Sequence, residues 1–289
     1  RQVRAPRLDY SPPLDVVLLA EKSATPLMLG GAAQIVSSTV ETDASGSRSL
    51  TLFVPSGTSA TFETPTGDVA APGVVNLRVT EFTVGDNGPR AMPGDLPQTS
   101  GYTYATELSL DEARGQKASH VRFDKTLYSY VDNFLSFPVG TVVPSGTYDR
   151  TRGLWVSEPS GRIVVILPAT GGISPIDSDG DGSPDDDTLL GSLGFSTEER
   201  TLLATRYPTG ATVWRVPLTH FTSFDLNWFR KAPGDATTPN SKPEKSGKDG
   251  DCWTYGSIIG CENRTLGELV GIPGTPFWLS YQSERTPGR

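Results

Sequence analysis

The stretch "VVNLRVTEFTV" (74–84) decides the fold class. Val75, Leu77 and Val79 alternate with Asn76, Arg78 and Thr80, a period of two that sorts apolar and polar side chains onto opposite faces of an extended strand. Short β-branched runs recur on both sides: "DVVLLA" (15–20), "AQIVSSTV" (33–40), "SLTLFV" (49–54) and "SATFET" (59–64) before it, "YTYATELS" (102–109), "HVRF" (120–123) and "TLYSYV" (126–131) after it. The clusters "DASGS" (43–47), "PSGT" (55–58) and "PTGD" (65–68) supply turn residues between runs. That spacing predicts antiparallel β-sandwich architecture.

The bulk numbers agree. With 31 Gly, 24 Pro and only 2 Met in 289 residues, turns and short strands are favoured over long helices. The length allows about two domains with cores of their own. A formal charge of −8 argues against a nucleic-acid partner, whose footprint would be basic. No apolar run approaches the roughly 20 residues of a membrane span. The start "RQVRAPRLDYSPP" lacks Met and an apolar signal core, so the chain is expected to be a piece of something longer whose targeting signal lies elsewhere.

The predicted organisation is all-β. Residues 1–22 read as an extension and 23–133 as a β-sandwich module. A second β-sandwich-like module spans 134–230 and carries an acidic loop followed by one short helix. In that helix, "STEERTLLATRY" (196–207), Ser196 is the N-cap and Glu199 completes a capping box. Residues 231–250 hold three Pro and three Gly but no aromatic, Val, Ile or Leu, and read as a flexible linker. The segment 251–289 turns β-like again and is too short to bury a core alone.

The acidic loop is "DSDGDGSPDDD" (177–187), six aspartates in eleven residues. Counted from Asp177, carboxylates fall at positions 1, 3, 5 and 9 (Asp177, Asp179, Asp181, Asp185), with Gly182 at 6 and Ser183 at 7. This is the first part of an EF-hand-type loop, in which Gly permits the bend and the position 7 carbonyl adds a neutral ligand. Left without a cation, each close carboxylate pair costs on the order of 1 kcal/mol even at high dielectric. A Ca²⁺ ion held by oxygens reverses that sign. Position 12, where a bidentate Glu belongs, is Thr188; Asp186 and Asp187 are the nearest substitutes, and Asp187 is taken into the ligand set. A solvated acidic turn and a catalytic metal site are the competing readings, the latter without any nucleotide cradle to support it.

Cys252 and Cys261 enclose "WTYGSIIG", as a hairpin disulfide would if the chain is exported, or they are two free thiols. A zinc site is excluded because His120 and His220 lie far off in sequence. Both histidines fall on predicted strands beside aromatics and read as packed or edge residues, and the five Trp read as core anchors more than as a sugar platform. The "NRT" triplet (263–265) is a formal glycosylation sequon.

Several phrases in order, "SGYTYATELSLDEA" (100–113), "VRFDKTLYSYVDNFLSFPVGTVVPSGTYDRTRGLWV" (121–156), the Asp loop, "WRVPLTHFTSFDLNW" (214–228) and "GSIIGCENRTLGE…GTPFWLSYQSERTPGR" (256–289), together resemble the region just upstream of the repeats in bacterial RHS (YD-repeat) proteins. These are large secreted or surface-displayed shells that often carry toxins. The resemblance implies that 251–289 begins the RHS-type β shell and that the partner is the remainder of the same polypeptide, with a cell-surface or secretion partner besides. It also implies secreted or cell-surface location and a non-enzymatic, Ca²⁺-stabilised structural role. Residues 48–132 are similar to the β-sandwich module of ankyrins and netrin receptors. A related module cleaves itself at His-Phe-Ser; here the triplet is His220, Phe221 and Thr222, with Thr a conceivable nucleophile. An adhesion or glycan-binding module, in which Ca²⁺ bridges to a sugar, is the alternative function, and self-cleavage a third.

Overall fold

The computed structural model describes residues 17–85, 88–94, 96, 101, 103–228, 267–271 and 278–282. The chain divides into two compact units, Arg1–Arg230 and Lys231–Arg289. In the second, β16 (Gly267–Gly271) and β17 (Trp278–Gln282) form an antiparallel pair.

The first unit is an all-β structure with short helices in its connections. Its early strands are β1 (Thr25–Met28), β2 (Gln34–Ser37), a small separate hairpin β3 (Glu41–Asp43) and β4 (Gly46–Arg48), then β5 (Leu50–Val54), β6 (Ala60–Thr64), β7 (Gly67–Ala70) and β8 (Val74–Glu81). Helix α1 (Gly88–Ala91), strand β9 (Ala105–Leu110) and helix α2 (Asp111–Gly115) lead to the long β10 (His120–Asp132). Strands β11 (Val142–Asp149), β12 (Leu154–Ile166) and β13 (Ile176–Asp177) precede helices α3 (Asp187–Ser192) and α4 (Thr197–Arg206). Strands β14 (Thr212–Phe221) and β15 (Ser223–Asp225) complete the unit.

Thirteen strands share one sheet, in the order β1-β8-β9-β15-β11-β12-β14-β10-β5-β2, with β13 on β12 and the β6–β7 pair on β10. Strands β1 and β2 stand at opposite ends of that order although they are consecutive in the chain. The Gln34 side chain spans the gap between them: Met28 N donates to its Oε1 (3.1 Å) and its Nε2 donates to Met28 O. The sheet is therefore nearly closed.

The alternation read in 74–84 is realised in β8, where Val75 and Leu77 are buried and pair with the core while Asn76 and Arg78 face outward to acidic partners on α2. Trp214, fully buried, centres the core; Phe134, Phe137 and Trp228 pack on its ring, and its Nε1 donates to Asn133 Oδ1 (2.7 Å).

The boundary expected at 133/134 falls between strands that are neighbours in the same sheet. Strand β10 pairs with β14 from Val121↔Phe221 to Asp132↔Val213, and β9 pairs with β15. Alternation reports which face of a strand is buried and carries no information about which strand lies beside it. The two halves are thereby knit into one body.

Helix α4 begins at Ser196 with the expected capping box: Glu199 N donates to Ser196 Oγ (3.0 Å) and Ser196 N to Glu199 Oε2 (3.4 Å). Glu199 has a second task. It is fully buried and receives Arg215 Nε on Oε1 (2.8 Å), Arg215 Nη2 on Oε2 (2.9 Å) and the Tyr130 hydroxyl. Arg215 also donates to Leu193 O and Gly194 O and is sandwiched between the rings of Tyr128 and Phe195 at 3.5 and 3.7 Å. This network fastens the helical segment that follows the acidic loop onto the sheet.

Candidate metal centre

Strand β13 is only two residues long, paired through Val165↔Asp177, and it delivers Asp177 to the start of the acidic loop. Asp177 is 2 % exposed and organises the turn: its Oδ1 accepts from Gly180 N (2.6 Å) and Asp179 N (3.2 Å), its Oδ2 from Gly182 N (2.9 Å). These bonds require Gly180 and Gly182 at φ +84° and +82°, a region that side-chain-bearing residues adopt only under strain. A Cβ on Gly140 would lie 2.7 Å from Asp179 O, so the loop interlocks with the Pro138–Thr141 turn. Asp185 closes the turn, its N donating to Ile176 O (2.8 Å) and its Oδ2 accepting from Ser178 N (2.9 Å).

The result brings Asp177, Asp179 and Asp185 together, one carboxylate oxygen of each lying within 4.8 Å of the others. Two Ca–O bonds of about 2.3–2.6 Å bridge such a span, and the donors are all hard oxygens. Among the described residues the ion pairs of the first unit involve none of the three. Burial, reinforced by the charges of Asp179 and Asp177, raises the Asp185 carboxyl above its ordinary value. Beside them the hydroxyl of fully buried Ser178 has no hydrogen-bond partner. The trio fits a hard divalent cation.

The other residues expected in the set are placed differently. Asp181 and Ser183 are exposed and make turn hydrogen bonds, Asp181 N to Asp179 Oδ1 and Ser183 N to Asp181 Oδ1. Asp187 stands outside the trio in the first turn of α3, its side chain 95 % exposed and 3.8 Å from Arg200. The reason is local: Asp186 caps α3, Oδ1 accepting from Leu189 N (2.7 Å), so the chain has already turned into a helix by Asp187. The loop thus has a strand entering and a short helix leaving. Reading 177–187 for ligand spacing alone missed that helix, although an Asp three residues before Leu189 is an N-cap signal.

His120 and His220 lie on β10 and β14, as expected of strand histidines. His120 Nδ1 is 3.2 Å from Glu63, and His220 Nε2 is 3.9 Å from Glu158. In the His-Phe-Thr triplet the Thr222 hydroxyl donates to Tyr148 O (3.3 Å), while the His220 ring faces Thr219 Oγ1 at 3.4 Å. Of the tryptophans, Trp214 is buried and Trp155 and Trp228 half-buried. Cys252, Cys261 and the triplet at 263–265 lie outside the described residues. Comparison of the chain with protein-family models, curated proteins and solved structures found no match.

Proposed function

We propose that this chain is a non-enzymatic structural segment of an RHS-type secreted or surface-displayed shell protein, and that Ca²⁺ bound by Asp177, Asp179 and Asp185 clips its fold. The carrying observation is the trio itself: three converging carboxylates, held by backbone N–H groups and glycine turns, none of them in an ion pair with a described residue. The ordered phrases between 100 and 289 support placing the chain ahead of the repeats, with the remainder of the same polypeptide as its partner. The ion's role is thermodynamic. A ligand that binds the folded form alone adds RT ln(1 + [L]/Kd), about 2.7 kcal/mol at a hundredfold excess over Kd.

Thermal melting in EDTA and in added Ca²⁺ tests the clip. Equal melting temperatures in the two conditions would reject it. For the shell, limited proteolysis of the full-length polypeptide should cut within 177–187 faster after chelation than before.

A further inference from the structure

Strands β12 and β14 run paired from Arg162↔Arg215 to Val165↔Thr212 and then part. Beyond the fork β12 turns to β11, as in Glu158↔Ser145, and β14 stays with β10, as in His220↔Arg122. Gly161 sets the splitting point. A Cβ there would lie 2.2 Å from Arg215 O and 2.9 Å from Val216 Cα, so a larger residue would wedge the strands apart before the fork. Between the arms opens a cleft of about 580 Å³, the size of small-molecule sites. None of its lining residues belongs to the acidic loop, which it meets through Arg162.

Arg162 reaches this cleft half-buried, and its guanidinium makes a single hydrogen bond, Nη1 to Ser178 O at 3.4 Å. Arg48 holds two carboxylates through three nitrogens, and Arg78 and Arg215 each hold one through two, whereas Arg162 forms no ion pair with a described residue. Its fork of donors is open to an anion from outside. Around it stand groups suited to hydroxyls. Glu158 accepts from Thr147 Oγ1 (3.1 Å) and keeps acceptor capacity, Thr219 is exposed, and His220 presents its ring beside Glu158. Burial holds His220 below its ordinary value, so near neutral pH the ring both donates and accepts.

The same lining argues against two other occupants. Pro159 and Pro217 stand on the two arms and remove backbone donors from the edges, which disfavours an added strand. A dianionic phosphate would bring a second negative charge toward Glu158 with, among the described residues of the lining, only Arg162 outside an ion pair to meet it. We propose that the cleft binds an acidic saccharide, its carboxylate on Arg162, its hydroxyls on Glu158, Thr219 and His220, and its C–H face on the exposed Val142 and the two prolines.

The test is calorimetric titration of the 289-residue chain with glucuronate, glucose and inorganic phosphate. Glucuronate should bind at least about tenfold more tightly than either control, and Arg162→Gln should lose about tenfold or more, as expected for a charge-assisted hydrogen bond. Thr219→Val should weaken glucuronate a few-fold without altering the charge, and it decides the matter together with the ligand series if Arg162→Gln melts abnormally. No binding of glucuronate, equal binding of glucose or phosphate, or unchanged binding by a folded Arg162→Gln would each overturn the proposal.

Discussion

Arg215 with Glu199 and the trio Asp177, Asp179 and Asp185 are two concentrations of charge built in opposite ways. In the first, Glu199 and Arg215 are 0 % and 6 % exposed, and each supplies what the other lacks, with Tyr130 and two carbonyls taking the remaining bonds. In the second, backbone N–H groups hold the carboxylates in place, but the charge beside each is of the same sign. Both sit next to the helical connection of the same unit. The contrast teaches that folding alone completes one cluster, while the other is left as like charges that the proposed Ca²⁺ would complete.

The hardest blow to the first cluster is Arg215→Met. It leaves Glu199 buried without its cation, at a cost of about 3–5 kcal/mol. The melting temperature should fall by on the order of 10 °C for a unit of this size. Adding Glu199→Gln should recover part of that loss in a double-mutant cycle; no recovery would mean that the two side chains do not act as a pair.

For the second cluster the equivalent perturbation is withdrawal of the ion. Chelation should lower the melting temperature by about 5–10 °C if Ca²⁺ was present near a hundredfold excess over Kd. The double replacement Asp179→Asn and Asp185→Asn should abolish the response to calcium, whereas Arg215→Met should keep it.

Asp225 provides a third case, a carboxylate with neither partner. It lies against Gly146, accepts from Asn227 Nδ2 at 3.2 Å and from its own backbone N–H, and burial nonetheless pushes it up to about 6. A raised value means that ionisation costs the folded state: stability is lost as pH rises from the ordinary carboxyl range through about 6. Asp225→Asn should therefore stabilise by up to ~3 kcal/mol at pH 8 and by almost nothing at pH 4. Paired melts at the two pH values measure it, and calcium should not alter the difference.

The smallest effect separates ion from proton. Asp185 is raised in the same direction as Asp225, so without calcium acidification through its range relieves the loop. With calcium the proton competes for the ligand. The gap between calcium and EDTA melting curves should narrow as pH falls from about 7 toward about 4. A constant gap would mean that the ion's ligands do not titrate there.

Much of this was legible in the residues. Alternation in 74–84 gave β8 with its buried face, and Ser196 with Glu199 gave the start of α4. The spacing of Asp177, Asp179 and Asp185 marked a loop whose carboxylates do converge. What stayed hidden depends on partners distant in the chain. Nothing near Glu199 announces Arg215, and nothing in "EPSGR" (158–162) announces that Gly161 forks two strands. The expectation of two consecutive sandwich modules concealed that their strands interleave, because local pattern names a face and never a neighbour.

That interleaving restricts how the molecule can be dissected. Excision of residues 23–133 would strip β10 of the β14 edge it lies on, and excision of 134–230 would strand β14 and β15 without β10 and β9. Each fragment would carry a raw line of unpaired amides and carbonyls, the kind of surface that recruits copies of itself. The first unit can therefore be cut out or moved only whole.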